Sequence, residues 1–192
     1  MKIVFCCFFP LIFLVFSCKN REQKGEESAQ NSRYQYLEAA ADSSWLAMMR
    51  SDDAKIGNMQ RLISELLLIE GSDSLRLTSI RRKTDSLTAF RYDRITMAEK
   101  GKIDCYDSLS TAAIESLKKE ISLIPKARNY QIVNQLNEEI VQADDSVLFY
   151  RKGYDSFIDG LNELRKKSGA QENAAGGSAG EQKPLPVFRL VP

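Results

Sequence analysis

From Val133 onward, apolar or small side chains recur at Val133, Leu136, Ile140, Ala143, Val147, Tyr150, Tyr154, Phe157, Leu161 and Leu164, in alternating steps of three and four without a miss. At 3.6 residues per turn those positions fall on one stripe, so the spacing predicts a long helix with a continuous apolar seam. The remaining positions carry Glu138, Glu139, Asp144, Asp145, Arg151, Lys152 and Asp159, which read as its solvent side. Lys166 and Lys167 suit the negative end of the helix dipole, and Gly169 reads as the stop. Such a seam has to be covered by other helices.

Three further helices supply the cover. Leu37, Ala41, Trp45, Met48, Ile56, Met59, Ile63, Leu66 and Ile69 repeat at helical spacing, with Asp52 interrupting the stripe and Gly57 a point of local softening. Gly71-Ser72 ends this first helix, and Ser72 or Asp73 caps the next. The second shows Leu77, Ile80, Thr84, Leu87, Phe90 and Met97 and is expected to run to Gly101. The third starts near Asp104, read as its cap, and carries Tyr106, Leu109, Ala113, Leu117, Ile121 and Ile124 up to Pro125, which terminates it. Nothing alternates with period two. The expected fold is all-α, an antiparallel bundle of about four helices with long first and last helices, spanning residues 33–168.

Composition removes several functions. Lys and Arg number 27 against 26 Asp and Glu, a formal charge of +1, which gives a nucleic-acid partner no support. The chain has no histidine, and with it go the usual general base near neutral pH and the usual zinc or iron ligand. Glu138-Glu139 and Asp144-Asp145 therefore read as solvated carboxylates, and no metal, cofactor or small-molecule substrate is expected. Trp45, Tyr106, Tyr150 and Tyr154 lie on or near seams and read as core. Arg151 beside Tyr154 reads as a structural ion pair or as a partner contact. Cys105, near a helix start, has no partner cysteine or histidine to make it reactive. The expectation is a protein without catalysis.

The first residues read as an address. Lys2 is followed by the apolar run Ile3–Phe16, broken only by Pro10. A bilayer span needs about 20 apolar residues, so this run fits the core of a signal peptide, residues 1–17. Val15-Phe16-Ser17-Cys18 then resembles the lipobox of bacterial lipoproteins, with small Ser17 before the cysteine and Phe16 bulkier than usual. That resemblance implies cleavage before Cys18, lipidation of Cys18 with acyl chains such as palmitate, and attachment to a membrane of the cell envelope. Lys19 in place of Asp after the cysteine favours the outer membrane in a two-membrane envelope. Cys6 and Cys7 would leave with the signal, so Cys105 would be the remaining free thiol and no disulfide could form within the chain. Residues 18–32, nearly free of aliphatic side chains, read as a flexible tether with a span of about 20 Å.

At the other end, residues 169–183 are rich in Gly, Ala and Ser and read as a linker. The tail at 184–192 is apolar and carries Pro184, Pro186 and Pro192. Its prolines favour an extended path, and Leu185, Val187, Phe188 and Leu190 can either return to the bundle's own groove or dock on another protein.

Leu136 to Asn162, LNEEIVQADDSVLFYRKGYDSFIDGLN, resembles the last long helix of the LemA family, whose pattern there runs roughly LQxELxxTExRIaxaRxxYNxxVxxYN. Leu136, Glu139, Ile140, Asp144, Val147, Arg151, Tyr154, Ile158 and Asn162 match without a gap, with Asp155 in place of the family's Asn and Leu161 in place of its second Tyr. Pro125 matches its Tyr-Pro turn, and Ala113, Leu117 and Ile121 its preceding helix. Lys183 to Phe188, KPLPVF, resembles its closing segment. The front departs: in RSDDAKIGNMQRLI, Arg50, Ile56 and Asn58 remain of the family's RRxDLIPNLV, with Gly57 for the proline. Family members mostly begin with a membrane helix rather than a lipobox. The resemblance covers about residues 45 to 190 and rests on Arg151, Tyr154, Asn162 and the tail. It implies a membrane-tethered helical bundle outside the cytoplasm and transfers no enzymatic activity. The expected function is a lipid-anchored interaction or scaffold module with one or more protein partners. The alternative is a self-associating structural envelope protein in which the Val133–Leu164 seam forms an intermolecular coiled coil.

Overall fold

Among the described residues four α-helices form, in the order α1 (Phe13–Leu67), α2 (Ser74–Phe90), α3 (Lys102–Leu123) and α4 (Gln131–Ala174). Short 3-10 turns at Thr96–Ala98 and Ala127–Asn129 lie in the last two connections. The structure, a computed structural model, describes residues 13–174 and 183–188, with side chains over 28–169 and 183–188. No strand occurs among the described residues, and the antiparallel all-α bundle with long first and last helices is the observed fold.

α1 and α4 run antiparallel and set the length of the molecule. Ser51 donates to the Ala143 carbonyl at 3.0 Å, Ser44 faces Gly153, Leu37 faces Gly160, and Gln30 Nε2 meets Ser168 Oγ at 3.1 Å. A Cβ on Gly160 would lie 3.1 Å from Leu37 Cδ1, so the missing side chain lets the two helices approach. α2 antiparallel to α1, with Gln60 Nε2 on Asp85 at 2.9 Å, and α3 antiparallel to α2, with Arg76 beside Glu120, close the bundle over one half of the pair. On that half Met59, Leu62, Ile63 and Leu66 of α1 meet Leu77, Leu87, Leu117 and Leu136, all fully buried. Each such side chain contributes about 1.5–3 kcal/mol through burial. Among the described residues no helix is long and apolar enough to cross a membrane.

The seam of α4 is buried against its own chain: Val133, Leu136, Ile140, Ala143, Val147, Tyr154, Leu161 and Leu164 are all inside. The positions an intermolecular coiled coil would use are therefore covered from within. Between Val147 and Leu161 the buried line departs from the expected one. Arg151 and Ile158 are buried while Tyr150 and Phe157 are only half-buried. Both routes alternate three and four, so spacing alone does not distinguish them. Arg151, read as a solvent-side residue, is 2 % exposed.

The boundaries differ in four places. α2 ends at Phe90 rather than near Gly101, because Arg91 turns extended (φ −62°, ψ 144°). The Asp93 carboxylate then takes the N–H groups of Thr96 at 2.7 Å and Ile95 at 2.9 Å, which hold its carboxyl below the usual range and start a new turn. α3 begins after Gly101, left-handed at φ +77°, and Asp104 lies in its first turn rather than at the cap. α4 passes Gly169 and runs to Ala174, since Ala170-Gln-Glu continues with good helix formers. Ser28 to Ser32, assigned by composition to the tether, are helical, with Ser32 Oγ on the Ser28 carbonyl at 3.0 Å. Of the two expected caps, Ser72 and Asp73, it is Asp73 that accepts the Arg76 N–H, at 3.0 Å.

Two glycines test the backbone argument. Gly57 is helical with open space where a Cβ would stand, so Gly57→Ala should raise stability by about 0.5–1 kcal/mol. Gly71 sits at φ +88°, so Gly71→Ala should lower it by about 1 kcal/mol. Urea unfolding followed by helical circular dichroism reads both.

Candidate functional site

Where α2 ends and α3 begins, charged and aromatic side chains fill the space between the short helices and the long pair. Asp52 and Lys55 stand one turn apart on α1 and both face inward. Lys55 Nζ lies 3.0 Å from Asp52 Oδ1 and 3.0 Å from Asp144 Oδ1 of α4. Arg91, at the end of α2, places Nη2 2.9 Å from Asp52 Oδ2 and Nη1 2.7 Å from Asp53 Oδ1. Tyr106 of α3 donates its hydroxyl to Asp52 Oδ2. Burying a carboxylate costs several kcal/mol unless it is paired, and Asp52 is paired with two cations and a phenol. Burial and the adjacent Asp52 carboxylate push the Tyr106 phenol up, which keeps it a donor.

Arg151 is the second centre. Its guanidinium makes a two-pronged pair with Asp107 of α3, Nη1 to Oδ2 and Nη2 to Oδ1, both 2.7 Å. Nη2 also donates to the hydroxyl of Tyr92 in the α2–α3 connection. Burial disfavours the charge, but Asp107 and Tyr92 more than offset it, so the Arg151 pKa is raised further. Burial pushes the Tyr92 phenol up to about 12 despite the neighbouring cation.

The tail meets α1 and α4 here. Asn162 Oδ1 accepts the Leu185 N–H at 2.8 Å while Asn162 Nδ2 donates to the Leu185 carbonyl at 3.1 Å. Asp155 Oδ1 accepts the Phe188 N–H at 2.8 Å. Seven residues of helix rise about 10 Å, which three extended residues also cover, so the tail lies extended and antiparallel to α4. Phe188 enters a box of three rings: Trp45 stacked at 6.0 Å, Tyr92 edge-on at 5.7 Å and Tyr154 edge-on at 5.6 Å. The Arg151 guanidinium stands 5.1 Å from the Phe188 ring centre. Arg94, paired with Asp42, packs on the outer faces of Trp45 at 5.3 Å and Tyr154 at 5.9 Å.

Of the residues singled out in the sequence, Arg151, Tyr154 and Asn162 come together on this side of α4, each touching the tail. Phe188 is buried, and Leu185 and Val187 are half-buried. The tail therefore returns to its own bundle. Leu190 and the side chain of Cys18 lie outside the described residues. Trp45 and Tyr106 are core, and the Arg151 ion pair is structural. The sequence pattern marks Asp52 only as a break in the α1 stripe and does not single out Lys55, Arg91, Tyr92 or Asp107. The one available signal was Asp52 with Lys55 three residues on, an opposite-charge pair set into an apolar stripe. Cys105 is exposed. Among the described residues no group of three or more His, Cys, Asp or Glu stands where it can hold a metal ion.

Comparison of the chain with protein-family models, with curated proteins and with solved structures found no match.

Phe188→Ala should cost about 3 kcal/mol by emptying the ring box. Asn162→Ala, which loses both bonds to Leu185, should cost about 1–2 kcal/mol. Urea denaturation of each variant against the parent gives both values. A second expectation concerns alkali. Tyr92 ionises near pH 10 in the unfolded chain and at about 12 in the folded one. The folded pKa is the higher, so its stabilisation is complete below pH 10 and is lost as pH rises through 12. The urea midpoint should fall over that window, less steeply in Tyr92→Phe.

Proposed function

We propose that the chain is a LemA-like lipoprotein, held to a membrane of the bacterial envelope by acyl chains on Cys18, with its bundle outside the cytoplasm acting as a protein-interaction module without catalysis. One observation carries the link to LemA. Arg151, Tyr154 and Asn162 carry the resemblance in the last helix, and KPLPVF carries it at the C-terminus. These two stretches, separated by twenty residues, contact one another through the Asn162 bonds to Leu185 and the packing of Tyr154 and Arg151 on Phe188. A shared pattern in both places is what a shared tail-docking geometry would require. The all-α bundle with long outer helices agrees with the fold that the resemblance implies.

A non-catalytic role is supported by how the buried charges are spent. Lys55, Arg91 and Arg151 each face a carboxylate, and the two phenols bond to Asp52 and Arg151. Each of these cations is compensated by a carboxylate on another helix, Asp144 for Lys55, Asp52 for Arg91 and Asp107 for Arg151, although among the described residues Arg91 Nε and Arg151 Nε have no hydrogen-bond partner. For the anchor the support is Leu14–Cys18 itself, with Ser17 giving a signal peptidase access to the bond before Cys18. Acyl chains contribute about 0.8 kcal/mol per buried methylene, so two of them hold a protein of this size stably. Lys19 favours the outer membrane where there are two.

Cys18→Ser should release a folded bundle from the membrane fraction and abolish incorporation of labelled palmitate. Fractionation with circular dichroism of the released protein is the measurement. A variant that stays membrane-bound would overturn the lipid anchor and leave an uncleaved N-terminal helix as the attachment.

A further inference from the structure

We infer that the Trp45–Tyr92–Tyr154 box, with Asn162 and Asp155 beside it, is a peptide-recognition site for an extended Leu-Pro-x-Phe segment, and that the occupant it exchanges with is the same segment of a second copy of this chain. The inference deepens the reading of the chain as an interaction module and rests on that reading for its role, though not on the lipid anchor.

Three features of the contact are those of a receptor and its ligand. First, the bundle reads the tail's main chain. Asn162 takes both the N–H and the carbonyl of Leu185, and Asp155 takes the N–H of Phe188, as the edge of a sheet would. Pro186 between them has no N–H to leave unsatisfied and pre-sets the extended path at low entropic cost. One aromatic anchor, Phe188, then fills the pocket.

Second, the walls of the pocket are held by bonds that do not involve the tail. Arg151 is tied to Asp107 and Tyr92, Trp45 packs on Tyr154 at 5.5 Å and on Tyr92 at 6.3 Å, and Tyr92 meets Tyr106 at 5.6 Å. Arg94 is held over Trp45 by Asp42. A site whose walls are braced from behind keeps its shape when its occupant leaves, and pre-organisation of this kind is what gives a short peptide useful affinity.

Third, the number of residues between the helix and the tail does not dictate which copy's groove the tail fills. From Ala174 back to the level of Asn162 is about 18 Å of helix, whereas the ten residues from Ala175 to Pro184 reach about 33 Å. Nothing in the length of the chain ties the groove to its own tail. A short connection gives that tail an effective concentration on the order of millimolar, so the intramolecular form dominates in dilute solution. Crowding of copies then raises the share in which tails are exchanged. The second copy is the occupant the observations favour, because its segment has the one sequence already seen to satisfy every contact of the site.

Trp45 is the only tryptophan in the chain and stacks on Phe188, so its fluorescence reports the occupant directly. The test uses the full chain carrying Phe188→Ala, titrated with the synthetic peptide Lys-Pro-Leu-Pro-Val-Phe. The expected result is a saturable return of Trp45 emission toward the parent value, at concentrations at least about 10-fold below any response of the parent protein. The same peptide with alanine in place of its phenylalanine should give none. A folded Phe188→Ala chain, checked by circular dichroism, that shows no saturable response overturns the inference. Should that variant not fold, unsubstituted chains decide the matter. Isotopically heavy chains grown with photo-leucine are mixed with light chains and irradiated at rising protein concentration. Heavy–light adducts joining Leu185 to the 155–162 segment, increasing with concentration, are expected; adducts confined to single copies up to millimolar protein overturn the exchange. Failure here with Cys18→Ser still released from membranes removes this inference alone. Membrane retention of Cys18→Ser with intact peptide binding removes the anchor alone.

Discussion

A guanidinium with 2 % of its surface exposed has to be neutralised where it stands, and the pairing of Arg151 with Asp107 organises the middle of this molecule. The bond joins α4 to α3, and the same guanidinium reaches Tyr92 in the connection between α2 and α3. Three segments, α4 and the consecutive α2–α3 connection and α3, are thereby fixed at one point. Removing Asp107 would leave the buried guanidinium short of compensation, a penalty larger than the net gain of forming the pair. Phe188 then packs on the face of this cation and on the rings around it. The seat of the tail is a consequence of the ion pair.

A second cluster, centred on Asp52, does similar work on the α1 side. Lys55, Arg91 and Tyr106 bring α1, α2 and α3 onto one carboxylate, and Asp144 extends the chain of charges to α4. Apolar side chains alone would tolerate small slides of one helix past another. Directional bonds from a buried carboxylate penalise them, so the two clusters set the register at which the short helix pair sits against the long one. The position of that pair decides how much of α1 and α4 is left uncovered, and hence where a groove remains for the tail.

The helices were legible because burial imposes a period, and periods survive in a sequence read alone. Four helices, their antiparallel order, Asp73 as a cap and the long outer pair follow from spacing and from turn residues. Their ends were less legible. Arg91 leaves the helix because Tyr92 is wanted inward by Arg151, and nothing within the α2 sequence announces that need. Gly169 was read as a stop, yet without a left-handed conformation a glycine is merely a weak helical residue, and α4 continues through it. The expected seam took the route through Tyr150 and Phe157, since an apolar residue outranks an arginine in any hydrophobic pattern. The molecule took the route through Arg151 and Ile158 because Asp107 and Tyr92, distant in sequence, compensate the charge.

The sequence by itself therefore determined the class of fold and the number and order of the helices, through local periodicity and local turn chemistry. The tertiary structure alone decided that the tail comes home, that Asn162 and Asp155 are its main-chain partners, and that Trp45, Tyr92 and Tyr154 form one box. Those facts depend on side chains up to about 140 residues apart arriving at one place. A single chain carries no record of such meetings, because the compensation that makes a buried charge or an extended tail stable is contributed by a partner elsewhere in the sequence.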